Sequence, residues 1–321
     1  MRGEPEFTWG NEQRGPGGPI GEGFAHAVRG LSLRLVALDN EPGGPPAADA
    51  AVRAFAAVRR SLRERGPERR YERDVLAATA ELAEVAGWVL FDAERPGEAA
   101  GFNRVALCLA RRSGDRATEL LTLQNVALAS GWSGRPRGEL AVARSVLDRG
   151  RLSPRVEAVF RVREARGLAG TGRSAEAARS FARARSLLAE GERHGDPFWA
   201  WWMTTDEVDG HQGFVLQEAG ERKAAVHHLR RAALQEEGAG AGYRHIFAVR
   251  LLDCLLGLHA WREAEEVAEG LVPVAAAGIA SARTRGLLDG LARPGRGLPG
   301  SAPGGLREVL EHLGASAGQS V

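Results

Sequence analysis

The stretch Ala165-Arg-Gly-Leu-Ala-Gly-Thr-Gly172-Arg-Ser-Ala-Glu-Ala177 decides the reading of this chain. It ends one apolar helical run, turns on a glycine and opens another run with a small residue. Four other stretches repeat the turn: Glu94-Arg-Pro-Gly-Glu-Ala99, Gly134-Arg-Pro-Arg-Gly-Glu139, Gly220-Glu-Arg-Lys-Ala-Ala225 and His259-Ala-Trp-Arg-Glu-Ala264. In chain order the five turn starts lie 40, 38, 48 and 39 residues apart. A near-constant period of helix pairs is the mark of a stacked array. The long interval holds about ten extra residues, placed at 191–204.

Small residues recur at fixed offsets from each turn. Seven positions before it stand Gly87, Ala127, Ala165, Gly213 and Leu252. Five and twelve positions after it stand Ala99 and Ala106, Ala177 and Ala184, and Ala225 and Ala232. Glu139 with Val146, and Ala264 with Leu271, depart from that rule, so the second and fifth units are degenerate copies. Small side chains let paired helices approach closely. The expected fold is all-α, with helices almost throughout 22–292. No stretch shows sustained two-residue alternation of β-branched residues.

This pattern resembles the tetratricopeptide repeat over about residues 75–275, which implies a helix-pair superhelix, an α-solenoid. The chain also resembles the sensor region of actinobacterial helix-turn-helix (XRE-type) transcriptional regulators. Glu81-Leu-Ala-Glu-Val-Ala-Gly-Trp88, Leu120-Leu-Thr-Leu-Gln-Asn125, Leu152-Ser-Pro-Arg-Val-Glu157 with Arg163-Glu-Ala-Arg166, and Asp196-Pro-Phe-Trp-Ala-Trp-Trp202 with Asp206-Glu207 carry that likeness. In that family a DNA-binding domain precedes the repeats. Residues 1–45 have too few helices and too little apolar content for one, so the likeness covers the sensing half. The expected organisation is a disordered segment at 1–21, capping helices at 22–70, about five helix pairs at 71–292, and a Gly/Pro-rich linker, short helix and tail at 293–321.

The resemblance implies that the first helix of each pair lines a concave groove. Its exposed positions fall about one, four, eight and twelve residues from the helix start. In this register they are Glu81, Glu84, Trp88 and Asp92, then Gln124, Leu128 and Trp132. The later units give Val162 and Arg166, Glu207 and Phe214, and Val249, Asp253 and Gly257. Asn125, Arg163 and Arg250 lie one residue off and reach the rim. Rings supply contact area, while amides and charges fix orientation, so this mixture suits a peptide, a small molecule or a partner protein. The plain alternative is that Trp88, Trp132 and Phe214 fill the core between units.

Three of the seven tryptophans, Trp199, Trp201 and Trp202, cluster with Phe198 in the insertion. On a helix Phe198, Trp201 and Trp202 share a face and Trp199 turns away. The cluster either staples the longer connection or walls the groove through Trp202. Glu207 and His211 have the i, i+4 spacing of a metal pair, but no second ligand pair accompanies them, so no metal is expected. Asp206 and Glu207 also suit a helix N-terminus.

Composition narrows the rest. Net charge is +2, which gives the whole molecule no nucleic-acid signature. Lys223 is the only lysine against 42 arginines, a coding bias rather than a binding feature. The arginines of 51–73 form a local basic excess that reads as a solvated helix face. Cys108 and Cys254 lie in apolar runs and are expected as buried free thiols. Gly314-Ala-Ser316-Ala-Gly318 matches a nucleophile elbow without its strand and helix. Gly170-Thr-Gly172 resembles a dinucleotide loop but is a repeat turn. No catalytic set and no cofactor is expected. Neither a signal peptide nor a membrane span is evident, and a cytoplasmic location is expected. An apolar end face would make a homodimer.

The expected function is a non-enzymatic ligand- or protein-binding regulatory module. The alternatives are an enzyme using the polar groups of the groove for acid–base work, and a regulator that acts on DNA through a partner.

Overall fold

In a computed structural model, all five turn starts have left-handed backbone: Glu94 (φ 59°), Gly134 (71°), Gly172 (80°), Gly220 (80°) and His259 (59°). One residue later, the chain closes each turn with the same i to i−5 hydrogen bond. The amides of Arg95, Arg135, Arg173, Glu221 and Ala260 donate to the carbonyls of Leu90, Ser130, Leu168, Leu216 and Leu255, at 2.9–3.0 Å. This closure satisfies orphan carbonyls at the helix end and needs positive φ, which glycine adopts without strain. The recurring period is thus a recurring backbone conformation.

The structure describes residues 20–41, 47–191, 195–233, 245–293, 298–300 and 302–318, with side chains to 315. The expected disordered segment lies outside them, apart from residues 20 and 21. Among the described residues the fold is all-α, with fourteen helices and no strand. They are α1 (Glu22–Asp39), α2 (Ala47–Arg65), α3 (Glu72–Asp92), α4 (Pro96–Ser113), α5 (Arg116–Trp132), α6 (Pro136–Leu147) and α7 (Pro154–Ala169). Then come α8 (Ser174–Ala189), α9 (Thr205–Glu218), α10 (Arg222–Ala233), α11 (His245–Gly257), α12 (Trp261–Ala277), α13 (Ala282–Ala292) and α14 (Gly304–Gly318). Proline begins α4, α6 and α7, where its missing N–H costs nothing. Asp115, Thr204 and Ser281 cap α5, α9 and α13.

Consecutive helices pack as pairs: α3 with α4, α5 with α6, α7 with α8, α9 with α10, and α11 with α12. The odd-numbered helices also touch one another in succession from α3 to α13. They form an inner layer that no even helix from α4 to α12 interrupts. α1 and α2 cover one end against α3, and α14 packs on α12 and α13 at the other.

The offset positions explain the pairing. Ala127, Ala165, Ala99, Ala106, Ala177, Ala184, Ala225, Ala232 and Ala264 are all buried. Gly87 and Gly213 are buried too. A methyl on Gly213 would lie 2.6 Å from Leu229 of α10, and one on Gly167 would lie 2.7 Å from the Leu140 backbone of α6. Packing these helices at such distance excludes any side chain there.

Three expectations are corrected. Cys254 is buried, but Cys108 is exposed. α4 buries Asn103, Ala106 and Ala110, and Cys108 falls on the opposite face of that stripe. The insertion is a short 3-10 turn over Phe198–Trp202, not an α-helix. Trp199, expected to turn away, is the buried ring and donates its indole N–H to the Ala117 carbonyl at 3.0 Å, while Phe198 and Trp201 are exposed. Residues 302–315 pack onto the array, with Ala302, Leu306, Leu310 and Leu313 buried.

The arginines at 53, 59, 60, 63, 65, 69, 70 and 73 are exposed, as a solvated face requires. Among the described residues no helix is long and apolar enough to cross a membrane.

Candidate functional site

The inner layer lines a half-open cavity of about 280 Å³. Glu84, Trp88 and Asp92 reach it from α3, and Gln124, Asn125 and Trp132 from α5. Arg163 and Arg166 come from α7, Trp202 from the 3-10 turn, Glu207 and Phe214 from α9, and Arg250 from α11. Of the eighteen groove residues expected from the sequence, these twelve and Leu128 line one space, while Glu81, Val162, Val249 and Gly257 do not. Nor does Asp253: it accepts a hydrogen bond from Gln217 Nε2 at 2.6 Å outside the cavity. The register was one residue off on two helices. Val162 and Val249, expected to be exposed, are core residues, and their neighbours Arg163 and Arg250 take the cavity face.

A chain of polar contacts crosses the floor. Asn125 Nδ2 donates to Glu84 Oε1 at 2.6 Å, and Gln124 donates to Asn125 Oδ1. Arg163 donates twice to Gln124 Oε1, at 3.0 and 3.3 Å. His211 stands between two arginines, its Nε2 3.0 Å from Arg163 and its Nδ1 3.4 Å from Arg166. Arg166 closes the chain on Glu139 Oε1 at 3.0 Å. Seven side chains from α3, α5, α6, α7 and α9 thereby fix one another's rotamers.

Burial sets the protonation states. Burial pushes the Glu84 carboxyl up to about 8, against the pull of the Asn125 hydrogen bond. At neutral pH it is a carboxylic acid and offers a hydrogen to the cavity. His211 is held well below the usual histidine range by burial, then by Arg163, Arg166 and Arg250. It is neutral, so one ring nitrogen accepts and the other donates. Both ring nitrogens face arginine donors, Nε2 that of Arg163 and Nδ1 that of Arg166, and Nε2 also lies 3.3 Å from Glu207 Oε1. Among the described residues no three His, Cys, Asp or Glu side chains group as ligands.

A second cluster joins the first helix pair to α13. Arg283 donates to Asp92 Oδ1 through Nε at 3.0 Å and through a terminal nitrogen at 2.6 Å, and Ser281 adds its hydroxyl at 3.0 Å. The Arg283 guanidinium also lies 4.2 Å from the Phe91 ring centre and about 5 Å from those of Trp88 and Trp132. α13 and α3 lie 191 residues apart in sequence at this bond. The clasp closes the inner layer into a ring around the cavity. Asp39, at the end of α1, is pushed up to about 7 by burial and by Asp92.

Aromatic rings form the walls. Trp132 and Phe214 stack with centres 6.0 Å apart and planes 23° apart. Arg250 and Arg166 lie 3.7 and 4.3 Å from the Phe214 centre. These four residues also line a neighbouring cavity of about 550 Å³ beside α6 and α8, so they partition two spaces.

The sequence reading missed Glu139 and Arg283. Glu139 had a signal: it stands where the repeat calls for a small residue. Gly131 makes room for it, since a methyl there would lie 1.7 Å from Glu139 Oε2. Arg283 lies past the last registered repeat, where no periodic argument reaches. No protein-family model matches the chain, and no curated protein matches it.

Proposed function

We propose that this chain is a non-enzymatic sensor or adaptor module. On this reading its helix pairs stack as a tetratricopeptide-like superhelix of the kind found in the sensor regions of helix-turn-helix regulators. The inner layer captures a small ligand, and occupancy tightens the ring closed by Asp92 and Arg283 for readout by a partner protein. The supporting observation is the convergence on one cavity of twelve residues that the repeat resemblance and the tryptophan cluster led us to expect there. Its walls are aromatic, and its few polar groups are oriented by one another, as ligand pockets are built. A thermal-shift screen of small metabolites tests it. A stabilising ligand is expected for the wild type and lost in Trp132→Ala with Arg163→Ala. An undiminished affinity in that double variant would sink the proposal.

A second reading rests on Glu84. A neutral acid and a neutral imidazole linked through Asn125, Gln124 and Arg163 are both proton carriers, so the cavity has groups for acid–base catalysis. Turnover abolished by Glu84→Gln, with ligand affinity retained, would favour it over the sensor.

A further inference from the structure

The buried arginines of the cavity wall differ in their partners: Arg163 meets Gln124 and His211, and the other three are unequal among themselves. Arg283 has Asp92 at 2.6 Å, and Arg166 has Glu139 at 3.0 Å, all four side chains buried. Arg250 is buried to the same degree, yet its acceptor is the neutral Gln217 amide at 2.7 Å. Its Nε is buried with no hydrogen-bond acceptor. Among the described residues the one carboxylate within ion-pair distance is Glu218, at 3.7 Å on a side chain 63% exposed. Water screens such a partner and it compensates little. A buried cation with an unmade hydrogen bond is costly unless something else completes it.

The surroundings define what completes it. Arg250 lies 3.7 Å over Phe214, with Trp132 stacked against that ring, and Trp88, Trp201 and Trp202 on the other walls. We propose that the cavity binds a flat aromatic monocarboxylate, with its ring among these aromatic walls and its carboxylate on Arg250. This deepens the sensor reading and rests on it. A carboxylate matches the planar donor fork of a guanidinium. A carboxylate brings one negative charge to the guanidinium whose buried Nε has no acceptor, whereas a phosphate brings about two. The volume of about 280 Å³ suits one or two fused rings, not a folded peptide. At the far side Glu84, pushed up to about 8 by burial, supplies a donor to a carbonyl or hydroxyl rather than a second charge.

Calorimetric titration of the full chain with 2-naphthoate and with its neutral isostere 2-naphthamide tests the assignment. The acid is expected to bind at least about tenfold tighter than the amide, the size of one charge-assisted hydrogen bond. Arg250→Met is expected to erase that preference by weakening the acid more than the amide, with its circular dichroism spectrum reporting that the variant is folded. Should that variant fail to fold, the acid-to-amide ratio of the wild type decides. Equal binding of the two probes overturns the anion site and leaves the cavity a ligand site. Binding of neither overturns the aromatic monocarboxylate assignment, and the sensor reading is then decided by the metabolite screen.

Discussion

Replacing Glu84 by glutamine should stabilise the protein, and increasingly so as pH rises. Glu84 is buried and titrates at about 8 in the folded chain, against an ordinary 4.5. The folded pKa is raised, and the group is an acid, so the folded state holds its proton more tightly than the unfolded state does. Below pH 4.5 both states are protonated and the site is neutral to stability. Between 4.5 and 8 the unfolded state releases its proton alone, and stability falls continuously. The loss is under about 1 kcal/mol at pH 5, about 3 kcal/mol at pH 7, and about 5 kcal/mol once both states are ionised. Glutamine keeps the acceptor for Asn125 Nδ2 and an N–H donor toward the cavity, without the titration. Asp39 and Glu81, also raised by burial, weaken the protein in the same direction, but they remain in both proteins and cancel in the difference. Urea unfolding followed by circular dichroism at pH 5, 7 and 8.5 measures that difference. A variant less stable than wild type by the same amount at every pH would refute the reasoning. It would mean that Glu84 is an ionised, favourably bonded carboxylate.

Three further outcomes test the fold and its closure. Glu94→Gly and His259→Gly, at positive-φ turn starts, should each stabilise by about 0.5–1 kcal/mol, the strain of a side chain in left-handed backbone. A higher urea midpoint confirms it, and a lower one shows that the side chains contribute more than the strain. Gly167→Ala should cost about 2 kcal/mol or more, because backbone atoms of Leu140 stand 2.7–2.9 Å from the new methyl; a thermal midpoint within a degree of wild type would contradict the close α6–α7 packing. Arg283→Met should cost about 3–5 kcal/mol by leaving Asp92 buried and unneutralised, and Asp92→Asn in the same chain should recover part of it. Absence of recovery in the double variant would show that the clasp is not the source of the loss.

How much the sequence revealed follows from where its periodicity reaches. The turns at Glu94, Gly134, Gly172, Gly220 and His259 were legible because a left-handed residue and a following small residue leave a mark in each copy. The groove residues Glu84, Trp88, Asp92, Gln124, Trp132, Arg166, Glu207 and Phe214 came from that register, and Asn125, Arg163 and Arg250 from one position beside it. Asp253 was misplaced because the register counts residues along a helix and does not measure its rotation. On α11 that rotation buries Val249 and turns Asp253 to Gln217. Trp199 was misread because an α-helical face was assumed where the chain makes a 3-10 turn. Glu139 looked like decay of the repeat, since a carboxylate at a small position makes sense only once Arg166 and Gly131 are seen beside it. Arg283 was invisible, because ring closure is a contact between distant segments with no local pattern. Cys108 shows the limit of apolar runs: the run forms a helix, but only one stripe of that helix is core.

The central claim is that the inner-layer cavity is a ligand site. Native mass spectrometry, on protein purified from its own host beside a Leu128→Trp variant that fills the cavity, tests it most directly. A non-covalent adduct of a few hundred daltons on the wild type, absent from the filled variant, is the predicted result. A bare wild-type chain, or an adduct equally abundant on both proteins, would contradict it.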